Sequence, residues 1–178
     1  MDKQQIVLCE DTRQQANKHD LKHEYFDRKG IKVIRSKLFS GDYTLLMNQS
    51  ICVDTKKDVS ELYGDMFSYS RSSIDGKKRS NHERFRNEAD RAKNNGIKLY
   101  ILVENKEGFK DIDDLLQWQN PQLKKSRPKG KKPPVPNEQF VKALHTFSDR
   151  HGAVFRFVSP ENSGRAILYL LTGKDFGV

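Results

Sequence analysis

The chain has 178 residues, enough for one domain that buries roughly 70% of its unfolded-chain surface, with 35% hydrophobic and 32% charged residues. Its 33 Lys and Arg outnumber 24 Asp and Glu, and the net charge of +9 points to a polyanionic partner, usually nucleic acid. The polar start Met1-Asp2-Lys3-Gln4-Gln5, the lack of a bilayer-length apolar run and the two lone cysteines argue against a signal peptide, a membrane helix and a zinc or disulfide framework.

Ile6-Val7-Leu8-Cys9 is a short apolar run ending in Glu10-Asp11-Thr12-Arg13, the pattern of a central strand with polar groups at its carboxyl end. A polar helix is expected from about Asn17 to Arg28, closed by Gly30. His19 and His23 share one face of it, but no third ligand stands nearby and both read as solvated. Ile31-Lys32-Val33-Ile34 is the second strand, and Lys37-Leu38-Phe39-Ser40 leads from it into Gly41. Cys9 and Cys52 both read as reduced core residues of a cytoplasmic protein.

From Gly41 to Lys56 the letters carry chemistry. Tyr43–Leu46 and Ile51–Thr55 read as the strands of a hairpin turning around Asn48. Symmetry about Asn48 sets Leu46 opposite Ser50, Thr44 opposite Cys52 and Asp42 opposite Asp54. Opposed residues hold their Cβ atoms roughly 4.5–5.5 Å apart, where like charges destabilise unless a cation lies between them. Lys56, two residues past Asp54, shares its face. Two carboxylates and an ammonium around one point outline a metal-dependent hydrolase site. Turn chemistry at Gly41-Asp42 and a solvated charge run from Asp54 to Asp58 are the plain alternative. The apolar Ile51-Cys52-Val53 running straight into Asp54 favours an acid that needs a partner.

Val59 to Phe67 reads as a short helix with Val59, Leu62, Met66 and Phe67 on one side. Ser68 to Ser80 is polar and basic and is expected to be a mobile loop. Arg71, Lys77, Lys78 and Arg79 make it a candidate phosphate-contacting arm, with Tyr69 able to stack on a base. Asn81 to Asn95 is a charged helix with Phe85, Ala89 and Ala92 inward, and Arg84 and Glu88 are spaced to pair along it. Lys98 to Glu104 is the clearest strand, and Ile112 to Trp118 a short helix with Leu115 and Leu116 inward.

Between Asn120 and Pro134 lie six positive charges, no negative one and four of the six prolines. A basic, flexible insertion at about 120–136 is expected, with Lys124, Lys125 and Arg127 available to a polyanion. Gln139 to Arg150 is a helix with Phe140, Val141, Leu144 and Phe147 inward and Asn137 as its cap, Ala153 to Val158 a strand, and Ser159-Pro160 starts a last helix through Leu171 to Gly173. This order predicts a single three-layer α/β domain over residues 1–178, with helices flanking a mixed central sheet.

These residues resemble the XPF-type nuclease domain, a branch of the PD-(D/E)xK nuclease superfamily with a restriction-endonuclease-like fold. Leu8-Cys9-Glu10-Asp11-Thr12-Arg13-Gln14 looks like the family's Asp-x-Arg-Glu, Gly41-Asp42 its Gly-Asp, and Asp54-Thr55-Lys56 stands where it has Glu-Arg-Lys. Arg84-Phe85 with Glu88 looks like the family helix, and Tyr100 to Glu104 like the strand that follows. The resemblance runs from about Ile6 to Leu171, outside the basic insertion. Departures are Gln14 for Glu, Asp54 for Glu, Thr55 for Arg, and Ser60 where a further Asp is usual, with Asp58 and Glu61 flanking it. No helix-hairpin-helix pair follows, so the chain looks like the stand-alone versions of bacteria and their phages, placed in the nucleoid-associated or phage-infected bacterial cytoplasm.

The resemblance implies a metal-dependent endodeoxyribonuclease acting on flap, fork or junction DNA, and a homodimer formed through this domain. Asp42, Asp54 and the Thr55 carbonyl are the expected ligands of Mg²⁺ (or Mn²⁺), with Asp11 as an auxiliary ligand and Glu10 and Glu104 as weaker candidates. Lys56 is expected to orient the attacking water and stabilise developing charge. Arg13 and Arg84, with the basic loops, are expected to hold the DNA backbone. Two readings compete: a catalytically weak or inactive DNA-binding scaffold of the same fold, and a protein-binding domain whose basic insertion docks an acidic partner.

Overall fold

The computed structural model describes residues 6–14, 20–71, 76–123 and 133–177. The strands are β1 (Val7–Asp11), β2 (Lys32–Ser36), β3 (Tyr43–Leu45), β4 (Asn48–Lys56), β5 (Tyr69–Arg71), β6 (Lys78–Ser80), β7 (Lys98–Glu104) and β8 (Val154–Val158). The helices are α1 (Asp20–Arg28), α2 (Val59–Phe67), α3 (Asn81–Asn94), α4 (Asn137–His151) and α5 (Ser163–Thr172). Six strands form one sheet in the order β2-β1-β3-β4-β7-β8. Only β3 runs antiparallel to its neighbours, so β1, β2, β4, β7 and β8 all end at the same edge. In open α/β sheets that edge is where ligands are held.

Alternation along β4 and β7 divides the core. Cys52, Leu99, Ile101 and Val103 face one side, against Leu62 and Met66 of α2, Phe85 and Ala89 of α3, and Phe140 and Leu144 of α4. Val53, Tyr100 and Leu102 face the other, against Tyr25 and Phe26 of α1 and Ile167, Leu168 and Leu171 of α5. This is the expected three-layer α/β arrangement with a mixed sheet. The inward stripes read from the sequence are buried as expected in α3 (Phe85, Ala89, Ala92) and α4 (Phe140, Val141, Leu144, Phe147). Cys9 and Cys52 are free and buried.

Four local expectations give way to the structure. The hairpin keeps Thr44 opposite Cys52 but pairs Leu45 with Asn48, so Leu46 does not face Ser50 and the turn falls at Leu46-Met47. The Asn48 side chain accepts hydrogen bonds from the Ser50 N–H at 3.1 Å and the Ser50 hydroxyl at 2.6 Å, and this local bonding goes with the register shift. The Ser68–Ser80 segment is not simply a loop, because its ends pair as the antiparallel ribbon β5–β6. Leu116 is exposed rather than inward, since Asp113–Gln117 winds as a 3₁₀ turn that buries only Leu115. Asn137 does not cap α4 with its side chain; its amide donates to the Leu116 and Trp118 carbonyls at 3.2 and 2.7 Å.

Those last bonds also pin the chain flanking the basic insertion. Asn120 is buried on one side, and on the other the Val135 N–H donates to the Tyr63 hydroxyl at 2.7 Å. No helix among the described residues is long and apolar enough to cross a membrane.

Candidate active site

The site is built where β4 ends. Cys52, Asp54 and Lys56 alternate onto one face of β4, the one packed by α2 and α3, and Asp42 stands just ahead of β3, beside the end of β4. Gly41 makes the entry possible: its φ is +70°, and a Cβ there would come within 3.1 Å of Cys52 Cβ and of the Val53 carbonyl oxygen. The Asp42 N–H donates to the Val53 carbonyl at 2.8 Å, locking the carboxylate onto the end of the hairpin. Asp42 Oδ2 then accepts from both the N–H and the hydroxyl of Thr55, each at 2.7 Å. Burial still raises the Asp42 pKa, against the lowering effect of Thr55, the Gln14 side chain and Lys56.

Asp54 is only 6% exposed. Burial pushes its pKa up to about 7, with Asp42 and Asp65 adding to the rise and Lys56 opposing it. Its Oδ2 lies 2.7 Å from Lys56 Nζ, a charge contact whose angles fall outside hydrogen-bond geometry. Burial alone would lower the Lys56 pKa, but the Asp54 and Asp65 carboxylates outweigh it and hold the ammonium charged. Lys56 Nζ also sits 5.0 Å from the centroid of the Phe85 ring, a cation–π contact that helps fix it.

Two further acids belong to this corner: the sequence reading passed over Asp65 and gave Glu88 only a pairing role along its own helix. Asp65 of α2 is buried, lies 2.8 Å from Lys56 Nζ through one oxygen and accepts from Arg84 Nη2 at 3.1 Å through the other. Glu88 of α3 accepts from the Gly41 N–H at 2.9 Å, and burial followed by the nearby Asp54 raises its pKa. Arg84 and Glu88 therefore turn to partners off their helix instead of pairing along it. The available signal for Asp65 was an acid at the margin of the α2 apolar stripe, near Leu62 and Met66, where a solvated acid would not be placed.

Other expected residues are directed elsewhere. Asp11 is spent on protein donors: its oxygens accept from the Arg13 N–H and Nε, both at 2.7 Å, Arg13 Nη2 at 2.8 Å, and the Leu38 N–H at 2.8 Å. Burial would raise its pKa, but these donors outweigh it and hold the carboxylate below its ordinary range. Asp11 thus braces the strand ends, and its expected role as an auxiliary ligand would require some of these donors to give way. Glu10 and Glu104 point to the opposite face of the sheet. Glu10 meets His23 at 2.8 Å, the Tyr43 hydroxyl at 3.0 Å and Arg35 at 3.3 Å, and Glu104 is paired with Lys22 of α1. Thr55 serves Asp42 through its N–H and hydroxyl.

Four of the expected DNA-contacting residues meet in one groove. Arg13, Arg71, Arg79 and Arg84 line a cleft of about 840 Å³ together with Glu88 and Arg91. Lys77 and Lys78 lie on the exposed β5–β6 side, with Lys78 Nζ 4.7 Å from the Tyr69 ring centroid. Lys124, Lys125 and Arg127 lie outside the described residues.

No three His, Cys, Asp or Glu side chains cluster as a metal cage among the described residues. Mg²⁺ does not need one, because it is commonly bound through one or two carboxylates with water and phosphate completing six ligands. Asp42 and Asp54 offer hard oxygen donors, and the buried Asp54 Oδ2 lacks a hydrogen bond of good geometry. The residues fit such an ion.

A family model described as the ERCC4 domain matches residues 11–171. The fold is similar to that of XPF from Aeropyrum pernix, at a TM-score of 0.55 and 18% identity over 93% of this chain and 63% of that one. It is likewise similar to XPF from Aeropyrum pernix in complex with DNA, at a TM-score of 0.56 and 17% identity over 94% and 64% of the two chains. The chain therefore spans less than two thirds of the length of these solved structures. No curated protein matches it in sequence.

Proposed function

The chain belongs to the ERCC4 domain family, and we propose that it is a divalent-metal-dependent endonuclease that hydrolyses phosphodiester bonds in flap, fork or junction DNA. The reading is carried by one observation: Asp54 and Lys56 share one face at the end of β4, with the Asp42 carboxylate held on the intervening Thr55, beside an arginine-lined groove. A solved XPF structure in complex with DNA supports the choice of polymer.

In this reading Asp42 and Asp54 would hold Mg²⁺ (or Mn²⁺), with the Thr55 carbonyl as a further ligand. The ion would supply Lewis-acid stabilisation of charge developing on the phosphate. Thr55 fixes the orientation of Asp42 through its two donors. With Asp54 committed to the cation, Asp65 is the anchor that keeps Lys56 in place, where its ammonium orients the attacking water and faces the developing negative charge. The water oxygen forms the new P–O bond as one ester P–O bond breaks. Arg13, Arg71, Arg79, Arg84 and Arg91 hold the strand backbone, and Lys77, Lys78 and the insertion's Lys124, Lys125 and Arg127 extend the basic surface.

Labelled fork DNA incubated with Mg²⁺ or with EDTA tests this. Cutting should require the metal, and binding should weaken steeply between about 50 and 200 mM salt. A salt-sensitive gel shift with no product in either Mg²⁺ or Mn²⁺ would instead establish the scaffold reading.

The ion should also reveal itself through stability. Asp54 ordinarily titrates at 3.8 and in the fold at about 7, so between these values the folded state keeps a proton that the unfolded chain sheds. More protons bound in the folded state means that metal-free stability falls as pH rises through this window. Saturating Mg²⁺ replaces that proton, so it should raise Tm more at pH 8 than at pH 6. Asp54→Asn should remove the pH dependence of the metal effect; equal Mg²⁺ shifts at both pH values in the wild type count against Asp54 as a ligand.

A further inference from the structure

Phe39 is 52% exposed although the chain on either side of it is held in place. Leu38 before it is buried, with its N–H on Asp11 Oδ2 at 2.8 Å, and Ser40 after it is fully buried. The next N–H, that of Gly41, is fixed on Glu88 at 2.9 Å. The Phe39 carbonyl accepts from Arg91 Nε at 3.1 Å, and the Arg91 guanidinium carbon lies 5.6 Å from the centroid of the Phe39 ring. Arg91 and Glu88 both line the basic groove, so the ring stands at the groove end nearest the carboxyl terminus of α3. It also lies three residues ahead of Asp42.

Scattered exposed aromatics are ordinary on protein surfaces. A ring on a pinned backbone, with a groove-lining guanidinium over it, three residues ahead of a proposed metal ligand, is a different matter. Base–aromatic stacking needs a rigid exposed π-face beside a cationic track for the phosphates, and it tolerates any base. Resting on the DNA-nuclease reading above, we propose that Phe39 is a stacking platform for one unpaired base of a strand whose phosphates run through the arginine groove. The platform binds a nucleotide that has left the duplex, so it favours a single strand or the splayed end of a fork over intact duplex. Arg91 serves both parts of the site, covering the ring and facing the backbone.

The test uses the whole chain in EDTA, so that DNA binds uncut, with labelled single-strand, duplex and fork DNA of equal length. Phe39→Ala should weaken single-strand and fork binding by about 5- to 150-fold, the loss of one base stack, while duplex binding stays within about twofold. Phe39→Trp should restore the lost binding. A fork carrying 2-aminopurine at the unpaired positions next to the junction should be quenched by wild type and by Phe39→Trp but not by Phe39→Ala. Because the ring is half open, Phe39→Ala should melt as the wild type does. If it binds all three DNAs as tightly as wild type, or weakens all three alike, the platform is wrong while the nuclease reading stands. If the wild type binds none of them, both are wrong.

Discussion

Asp42→Asn should reduce cleavage of labelled fork DNA by about 10²- to 10³-fold or more, the scale of losing one electrostatic group aimed at developing charge. It should leave the Kd for that DNA unchanged or slightly lower. Asparagine keeps the size of the side chain and an oxygen that can still accept from the Thr55 N–H, so the hairpin geometry should survive. What disappears is a negative charge that burial already disfavours. Metal-free Tm should therefore stay level or rise, separating loss of chemistry from loss of fold. DNA affinity should not fall, because an anion has been removed from beside the groove. Cleavage within about threefold of wild type would remove Asp42 from the mechanism.

Lys56→Ala should be the most destabilising single change at this corner. Lys56 is the shared cation of two buried carboxylates, Asp54 and Asp65, at 2.7 and 2.8 Å. Removing one partner of a buried pair leaves charge uncompensated and costs roughly 3–5 kcal/mol. At about 2–4 °C per kcal/mol for a chain of this size, Tm should drop by roughly 6–20 °C. Adding Asp65→Asn to Lys56→Ala should recover part of that loss, since one of the stranded charges is then gone. Asp65→Asn alone leaves Lys56 with Asp54, so it should perturb Tm less while lowering the cleavage rate through a less firmly held ammonium. Differential scanning fluorimetry of the four proteins measures all of this. A Lys56→Ala variant that melts with the wild type would mean that the ion cluster is not what it appears from the distances.

What could be read from the letters was whatever depends on short period. Alternation alone sets Thr44 opposite Cys52 and puts Asp54 and Lys56 on one face. The 3.6-residue stripes of α3 and α4 likewise identified their buried residues. The rest depends on partners that sequence distance does not reveal. Asp65 reaches Lys56 only because α2 packs back over β4, and Glu88 reaches Gly41 because α3 lies beside the hairpin. The i,i+4 spacing of Arg84 and Glu88 suggested a pair along the helix, yet each finds a more buried partner in another element. Asp11 stands at a strand end as a ligand would, but Arg13, two residues later, claims its carboxylate. Ser60 stands where the family usually has an acid, and here Asp65, farther along the same helix, supplies the carboxylate at Lys56.

Asp42 and Asp54 are proposed to share a divalent ion beside Lys56, and direct metal titration tests that without DNA or turnover. Mg²⁺ or Mn²⁺ titrated calorimetrically into the metal-free protein at pH 8 should bind the wild type, while Asp42→Asn and Asp54→Asn each lose most of that binding and Asp11→Asn keeps it. If both site variants take up the ion as the wild type does, the two carboxylates do not hold a metal and the proposed hydrolysis has no basis.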